Sequence, residues 1–176
     1  LAPVEGGPFR RLAFDLTDAE VAGYYAGYAN AVLWPILHAR ADLMDIVHED
    51  LAVYKAVNRR LAGMLIDVIA PDDIVWVHDF HLLPLAWELR ALGAANRIGL
   101  FLHTPFPAPQ DMAALPNAGE VAGWLSQHDL VGLQTEADVR KFRASLSALA
   151  EARAGEDGIV ELGRRATRGA AFPISI

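Results

Sequence analysis

Polar residues follow three apolar runs in this sequence at the places where chemistry could be done. His78, Asp79 and His81 come directly after residues 74–77, His103 and Thr104 after 98–102, and Gln134, Thr135 and Glu136 after 130–133. A carboxylate can orient a hydroxyl, and an imidazole can donate or accept a proton near neutral pH. Each candidate also has an ordinary structural use. Asp79 can cap a helix expected to begin near Leu82, and His103 can be a buried, satisfied imidazole. The segment 78–81 can hydrogen-bond loop amides. Metal binding by His78 and His81 lacks support from a second segment rich in histidine or carboxylate. The sequence contains no Gly-x-Gly-x-x-Gly, Walker lysine, Gly-x-Ser-x-Gly or His-Glu-x-x-His.

A second group is aromatic. Tyr24, Tyr25, Tyr28 and Trp34 fall on one expected helix, where such residues are ordinarily core. Aromatic rings with a polar tip also stack on the apolar face of a sugar while the tip meets hydroxyls or phosphate. Composition does not choose between the two.

The elements that must position these residues read as α/β. Residues 1–15 read as a loop followed by a strand. Thr17 stands three residues before Glu20, the spacing of a capping box, and a helix through about 21–32 follows, with Pro35 expected to bend or end it. Residues 49–69 carry Leu51, Tyr54, Val57, Leu61, Met64, Leu65 and Val68 at three- and four-residue steps. That pattern predicts a helix with one buried stripe, and with Lys55, Asn58 and Arg59 on the surface. Beyond Pro71 the expected order is strand 74–77, covered on both faces, helix 82–92 closed by Gly93, strand 98–102, helix 120–126, strand 130–133, helix from Thr135 to about 152, and strand 165–174. Strands separated by helices imply a parallel sheet with helices on both faces, a Rossmann-like arrangement whose ligands collect outside the carboxyl ends of the strands.

Composition removes other classes. The chain has 176 residues, 53% of them hydrophobic, and a net charge of −7. It can bury a core, and it lacks the basic face that nucleic-acid binding needs. No apolar run approaches the roughly 18 residues of a membrane span, and no secretory signal pattern opens the sequence. There is no cysteine, which removes thiol nucleophiles and disulfides and fits a reducing compartment. A cytoplasmic protein without membrane or nucleic-acid partners is expected, and a homo-oligomer is left open.

Three segments in order, YYAGYANAVLWP at 24–35, VHDFHLLP at 77–84 and NRIGLFLHTPFP at 96–107, resemble the trehalose-6-phosphate synthase family. Leu115-Pro116, DLVGLQTE at 129–136 and AFPI at 171–174 extend the resemblance over almost the whole chain from Leu12. It implies a retaining GT-B glycosyltransferase, built from two Rossmann-like domains facing a cleft, that moves glucose from a nucleotide donor, usually UDP-glucose, to glucose 6-phosphate. It implies no metal and no cofactor. By the same resemblance Tyr25 and Trp34 contact the acceptor on its phosphate side, Asp79 hydrogen-bonds acceptor hydroxyls, and His103 lies against the donor sugar. Family members carry a glycine-rich phosphate loop upstream and a nucleotide-binding domain downstream. Residues 1–176 are therefore expected to be an incomplete N-terminal, acceptor-side domain without its C-terminal partner, inactive alone. Ser175 stands where the family usually has glycine. Two alternatives accompany this reading: a non-catalytic sugar-phosphate-binding or regulatory homologue, and a pseudo-glycosyltransferase acting on a cyclitol.

Overall fold

The reciprocal cap predicted at Thr17 is formed. The Glu20 amide donates to Thr17 Oγ1 at 3.2 Å and the Thr17 amide donates to the Glu20 carboxylate at 2.9 Å, satisfying two amides a helix start leaves free. The computed structural model describes residues 1–4, 6, 9–155 and 158–174; Ser175 lies outside them. From the cap, α1 (Asp18–Glu20) runs unbroken into a π-helical segment, Val21–Leu33, and then into α2 (Trp34–Leu37). The buried pairs Gly23-Tyr24, Tyr28-Ala29, Val32-Leu33 and Ile36-Leu37 recur every four to five residues, matching i→i+5 winding better than a 3.6-residue repeat.

Pro35 does not end this helix as expected. It stands where the winding changes from π to α: the Trp34 amide still donates five residues back, to the Ala29 carbonyl, and the helix runs on to Leu37. The Ala31 carbonyl accepts from outside the helix, from the Asp45 amide at 3.0 Å. The helix turns off at Ala39, whose φ is 55°.

The next helix, α3 (His48–Leu65), is shorter than the predicted 49–69. Tyr54, Val57 and Leu61 are buried and Leu51, Met64 and Leu65 half-buried, whereas Val68 lies past the helix end and is exposed. Asn58, expected on the surface, is fully buried, and Lys55 is half-buried. The two helices approach closely because Gly23 faces Val53; a Cβ there would sit 2.9 Å from Val53 Cβ.

A small antiparallel hairpin, β1 (Ala2–Val4) with β2 (Arg11–Ala13), opens the chain where a loop and one strand were expected. The main sheet has six strands: β3 (Ile74–His78), β4 (Arg97–Phe101), β5 (Leu130–Leu133), β6 (Arg153–Ala154), β7 (Ile159–Leu162) and β8 (Arg165–Ala171), in the spatial order β3-β4-β5-β8-β7-β6. The first four in that order are parallel, and β7 and β6 pair antiparallel. The expected parallel sheet is thus present with an antiparallel extension, and the last strand stops at Ala171 rather than 174. Between the strands lie α4 (Leu85–Ala91), closed by Gly93 at φ 89°, α5 (Pro109–Met112), α6 (Ala118–Leu125) and α7 (Glu136–Ala150). Ile98 and Leu100, Val131 and Leu133, Leu85 and Leu89, Phe142 and Leu146 form one core with the aromatic helix, each such side chain contributing about 1.5–3 kcal/mol of burial.

The strand at 74–77 departs from expectation in one respect. It forms the edge of the sheet among the described residues, and successive residues point to opposite faces. Val77 is buried, while Ile74, Trp76 and His78 on the other face are exposed.

Candidate functional site

The rim of the sheet is built by backbone pairing. Register places His78 beside Phe101, and the Asp79 amide then donates to the Phe101 carbonyl at 2.8 Å, carrying the ladder one residue past β3. At Asp79 the chain turns sharply, with φ 67° and ψ 173°, a combination that costs most residues on the order of 1–3 kcal/mol and that glycine alone adopts freely. Its carboxylate accepts from the Phe80 amide at 3.0 Å and so caps the 3-10 turn Phe80–Leu82. Asp79 therefore is a cap, as one sequence reading allowed, for a turn that starts earlier than Leu82. Capping uses Oδ1.

The turn after Asp79 is gripped from α3. Tyr54 Oη donates to the Phe80 carbonyl at 2.6 Å. Asn58 Nδ2 donates to its own helix at the Tyr54 carbonyl, 3.0 Å, and to the His81 carbonyl at 3.2 Å. Phe80 is buried below. The His81 ring stacks on Tyr25 with centroids 5.3 Å apart and an interplanar angle of 14°, and on Phe80 at 4.2 Å. Burial lowers the His81 pKa from its ordinary value, opposed by the nearby Asp79 charge, so this platform is a neutral ring at physiological pH.

The aromatic group divides in two. Tyr24 and Tyr28 are core: burial pushes the Tyr24 phenol up to about 12 and the Tyr28 phenol higher still, and Tyr28 Oη donates to Asn117 Oδ1 at 2.8 Å. Tyr25 and Trp34 are 50% and 44% exposed. Nine residues of ordinary α-helix make 2.5 turns and would point the two in opposite directions. With i→i+5 winding, at about 4.4 residues per turn, nine residues make about two turns and bring them to one side. Trp34 packs on His38 at 4.2 Å.

On the neighbouring strand, Leu102 is held by its amide to the Gly132 carbonyl at 3.0 Å, and His103 follows, exposed. The loop beyond it is fastened to the start of α7, where Asp138 accepts from the Phe106 amide at 3.1 Å and from Thr135 Oγ1 at 2.6 Å. Thr135 in turn caps α7 by accepting from the Asp138 amide, so this candidate has a structural task. Gln134 accepts from the Ile174 amide at 3.4 Å.

His103 and His78 meet: Nε2 of the first is 3.1 Å from Nδ1 of the second, with rings stacked at 5.4 Å. They line a hollow of about 430 Å³ with Trp76, Phe101, Phe172, Pro173 and Ile174. Asp79, Tyr25 and Trp34 do not line it. The structure thus joins His103 to His78, ties Tyr25 to the Asp79 turn through His81, and leaves Trp34 against His38. The His78–His103 contact, Tyr54 and Asn58 were not foreseen from sequence; the register of two adjacent strands, once known, is the signal for the first. Among the described residues no three His, Asp or Glu side chains converge as a metal site, and no helix is long and apolar enough to cross a membrane.

Comparison with known proteins gives this arrangement a context. The profile of glycosyltransferase family 20 matches residues 8–176. The trehalose-6-phosphate synthase of Sinorhizobium fredii is 44% identical over 146 residues, 83% of this chain and 32% of that protein. The Sodalis glossinidius trehalose-6-phosphate synthase is 39% identical over 93% of this chain and 35% of its own length. The chain spans about a third of the length of these curated relatives. Among solved structures, an α,α-trehalose-phosphate synthase (UDP-forming) from Burkholderia xenovorans in complex with glucose-6-phosphate superposes with a TM-score of 0.94 at 40% identity, over 99% of this chain and 39% of that one. An E. coli structure bound with UDP-2-fluoro glucose gives 0.94 at 39% identity, over 99% of this chain and 39% of that one. The mostly parallel sheet flanked by helices is the GT-B trehalose-phosphate synthase fold. With the match running through the π-wound helix, both rim segments and the last strand, the chain belongs to glycosyltransferase family 20.

Proposed function

We propose that this chain is the N-terminal, acceptor-side part of an enzyme that transfers glucose, with retention, from UDP-glucose to the anomeric hydroxyl of glucose 6-phosphate. The reading is supported most by its likeness, at 40% identity, to a structure solved in complex with glucose-6-phosphate. The bond from the donor's anomeric carbon to the UDP oxygen breaks, and a bond to the acceptor oxygen forms on the same face of the sugar. The acceptor proton passes to the leaving phosphate. Such a step needs no protein nucleophile and no metal; the protein contributes position and electrostatics.

In this reading Asp79 orients an acceptor hydroxyl with the carboxylate oxygen that capping leaves over. Tyr25, held on the neutral His81 ring, and Trp34, brought to the same side of the helix, hold the phosphate end. His103 lies against the donor sugar. The absence of cysteine fits a cytoplasmic setting.

The test is the full-length gene product with UDP-glucose and glucose 6-phosphate, following UDP release and trehalose 6-phosphate. UDP release that depends on glucose 6-phosphate is expected. Glucose 6-phosphate binding without UDP release would favour a non-catalytic homologue and overturn the proposal.

A further inference from the structure

We infer that His78 is a positioning residue for His103: through the Nδ1···Nε2 contact it selects which tautomer of His103 faces the ligand. The inference rests on the proposed function, in which His103 meets the donor sugar.

A 3.1 Å contact between two imidazole nitrogens requires one to carry the hydrogen and the other to accept it. When His78 carries its hydrogen on Nδ1, His103 Nε2 accepts, and the neutral His103 ring presents Nδ1–H as a donor. When His78 carries it on Nε2, His103 Nε2–H donates and Nδ1 becomes an acceptor. In either case His103 Nε2 is occupied by its neighbour, and Nδ1 is the nitrogen left for a sugar hydroxyl. Which nitrogen of His78 carries the hydrogen thereby decides whether His103 Nδ1 donates or accepts.

The pair is held as a pair although both rings are exposed. The His78 ring lies edge-on to Trp76, centroids 6.0 Å apart at 86°, and His103 lies edge-on to Phe101, 4.9 Å apart at 69°. Strand register fixes His78 opposite Phe101, so the two rings are pinned from outside as well as by their own contact. Both border the same hollow of about 430 Å³. Hydrogen bonding from a neighbour that fixes a histidine's tautomer and ring plane is a familiar means of tuning its function.

The experiment compares two substitutions in the full-length gene product. His78→Asn keeps an amide group close to the position of Nδ1 and can still hydrogen-bond His103, without an ionisable ring. His78→Phe keeps an aromatic ring and removes the hydrogen bond. His78→Phe is expected to lower kcat by about 10- to 100-fold with a small change in the KM for glucose 6-phosphate and an unchanged melting temperature. His78→Asn is expected to recover to within about threefold of the unaltered enzyme. A His78→Phe enzyme as fast as the original, or a His78→Asn enzyme as slow as His78→Phe, overturns the inference. A second readout does not depend on activity: ¹⁵N–¹H correlation of the histidine ring nitrogens should show one predominant tautomer of His103, lost in His78→Phe and kept in His78→Asn. If the gene product shows no transfer, the functional reading falls, and the inference is decided by the spectra; a His103 tautomer indifferent to His78→Phe ends it.

Discussion

Asp79 is held at φ 67° and ψ 173° while its carboxylate caps the next turn, and these two facts pull its substitutions apart. Asp79→Ala keeps a Cβ and therefore keeps the strain, of order 1–3 kcal/mol. It also loses the bond to the Phe80 amide, a loss of about 0.5–1.5 kcal/mol. Asp79→Gly loses the same bond but releases the strain, set against about 0.4–1 kcal/mol of extra freedom in the unfolded chain. The glycine variant is therefore expected to be the more stable of the two, by about 1.3 kcal/mol at the middle of these ranges and by about 2.6 kcal/mol at most. Glycine ordinarily ranks below alanine at a random position, so the sign itself is diagnostic.

The assay is a paired thermal melt, repeated as urea denaturation, on the original protein and both variants. The same preparations of the full-length gene product are then tested for UDP release. Both variants should lose most transfer if Asp79 orients the acceptor, although the glycine variant stays close to the original in stability. An alanine variant that melts at or above the glycine variant refutes the strain argument. A glycine variant that transfers glucose at the original rate refutes the role of Asp79 at the site and leaves it a cap.

Other perturbations follow from the same geometry. Tyr54→Phe removes the 2.6 Å donor to the buried Phe80 carbonyl and should cost about 1–3 kcal/mol, seen in the urea midpoint, while raising the KM for glucose 6-phosphate because the turn after Asp79 loosens. Gly132→Ala places a Cβ 2.7 Å from Phe101 Cδ2; Phe101 is buried and backs His103, so a loss of about 1–3 kcal/mol together with slower transfer is expected, and a neutral variant would show that Phe101 yields freely. His128 is fully buried, and burial pushes its pKa down to about 4 from 6.5. Its stabilising contribution is complete above pH 6.5 and is lost as pH falls towards 4, by about 3 kcal/mol in all; His128→Phe should flatten that acid limb of the stability curve.

Much of the fold was legible because its signals are local. Thr17 and Glu20 gave a cap at the right spacing, and Thr135 with Asp138 gave another. The apolar runs at 98–102 and 130–133 became central parallel strands. What escaped depends on partners distant in sequence. Asn58 looked like a surface residue on its helix, and besides the Tyr54 carbonyl of that helix its partner is the His81 carbonyl, 23 residues away. The strands β6 and β7 are short, two and four residues, although the Gly163-Arg164 turn between Leu162 and Arg165, with Gly163 at φ 62°, is a hairpin signal that the sequence carried. The exposed face of β3 could not be read from Ile74-Val75-Trp76-Val77, because an apolar run looks the same whether one face or two are covered.

The candidate site shows the same division. Asp79 and His103 were singled out because strand ends announce themselves, but what each does locally required coordinates. Tyr25 and Trp34 illustrate why. Their nine-residue separation argues against a shared side on an α-helix, and composition grouped them with Tyr24 and Tyr28 without separating core from surface. The winding supplies the missing step: by adding residues to each turn, the π segment turns the same separation into a shared side and leaves Tyr24 and Tyr28 in the core. That winding is sustained by packing and not by propensity, since Gly23 lets α3 come close and the Asp45 amide binds the Ala31 carbonyl from outside the helix. A helix held in this less common form by its neighbours, next to a turn held at a glycine-like angle by an aspartate, places two departures from ordinary backbone geometry beside one rim. Departures of this kind persist where surrounding structure enforces them. Their adjacency is what separates this rim from the ordinary loop ends of a parallel sheet.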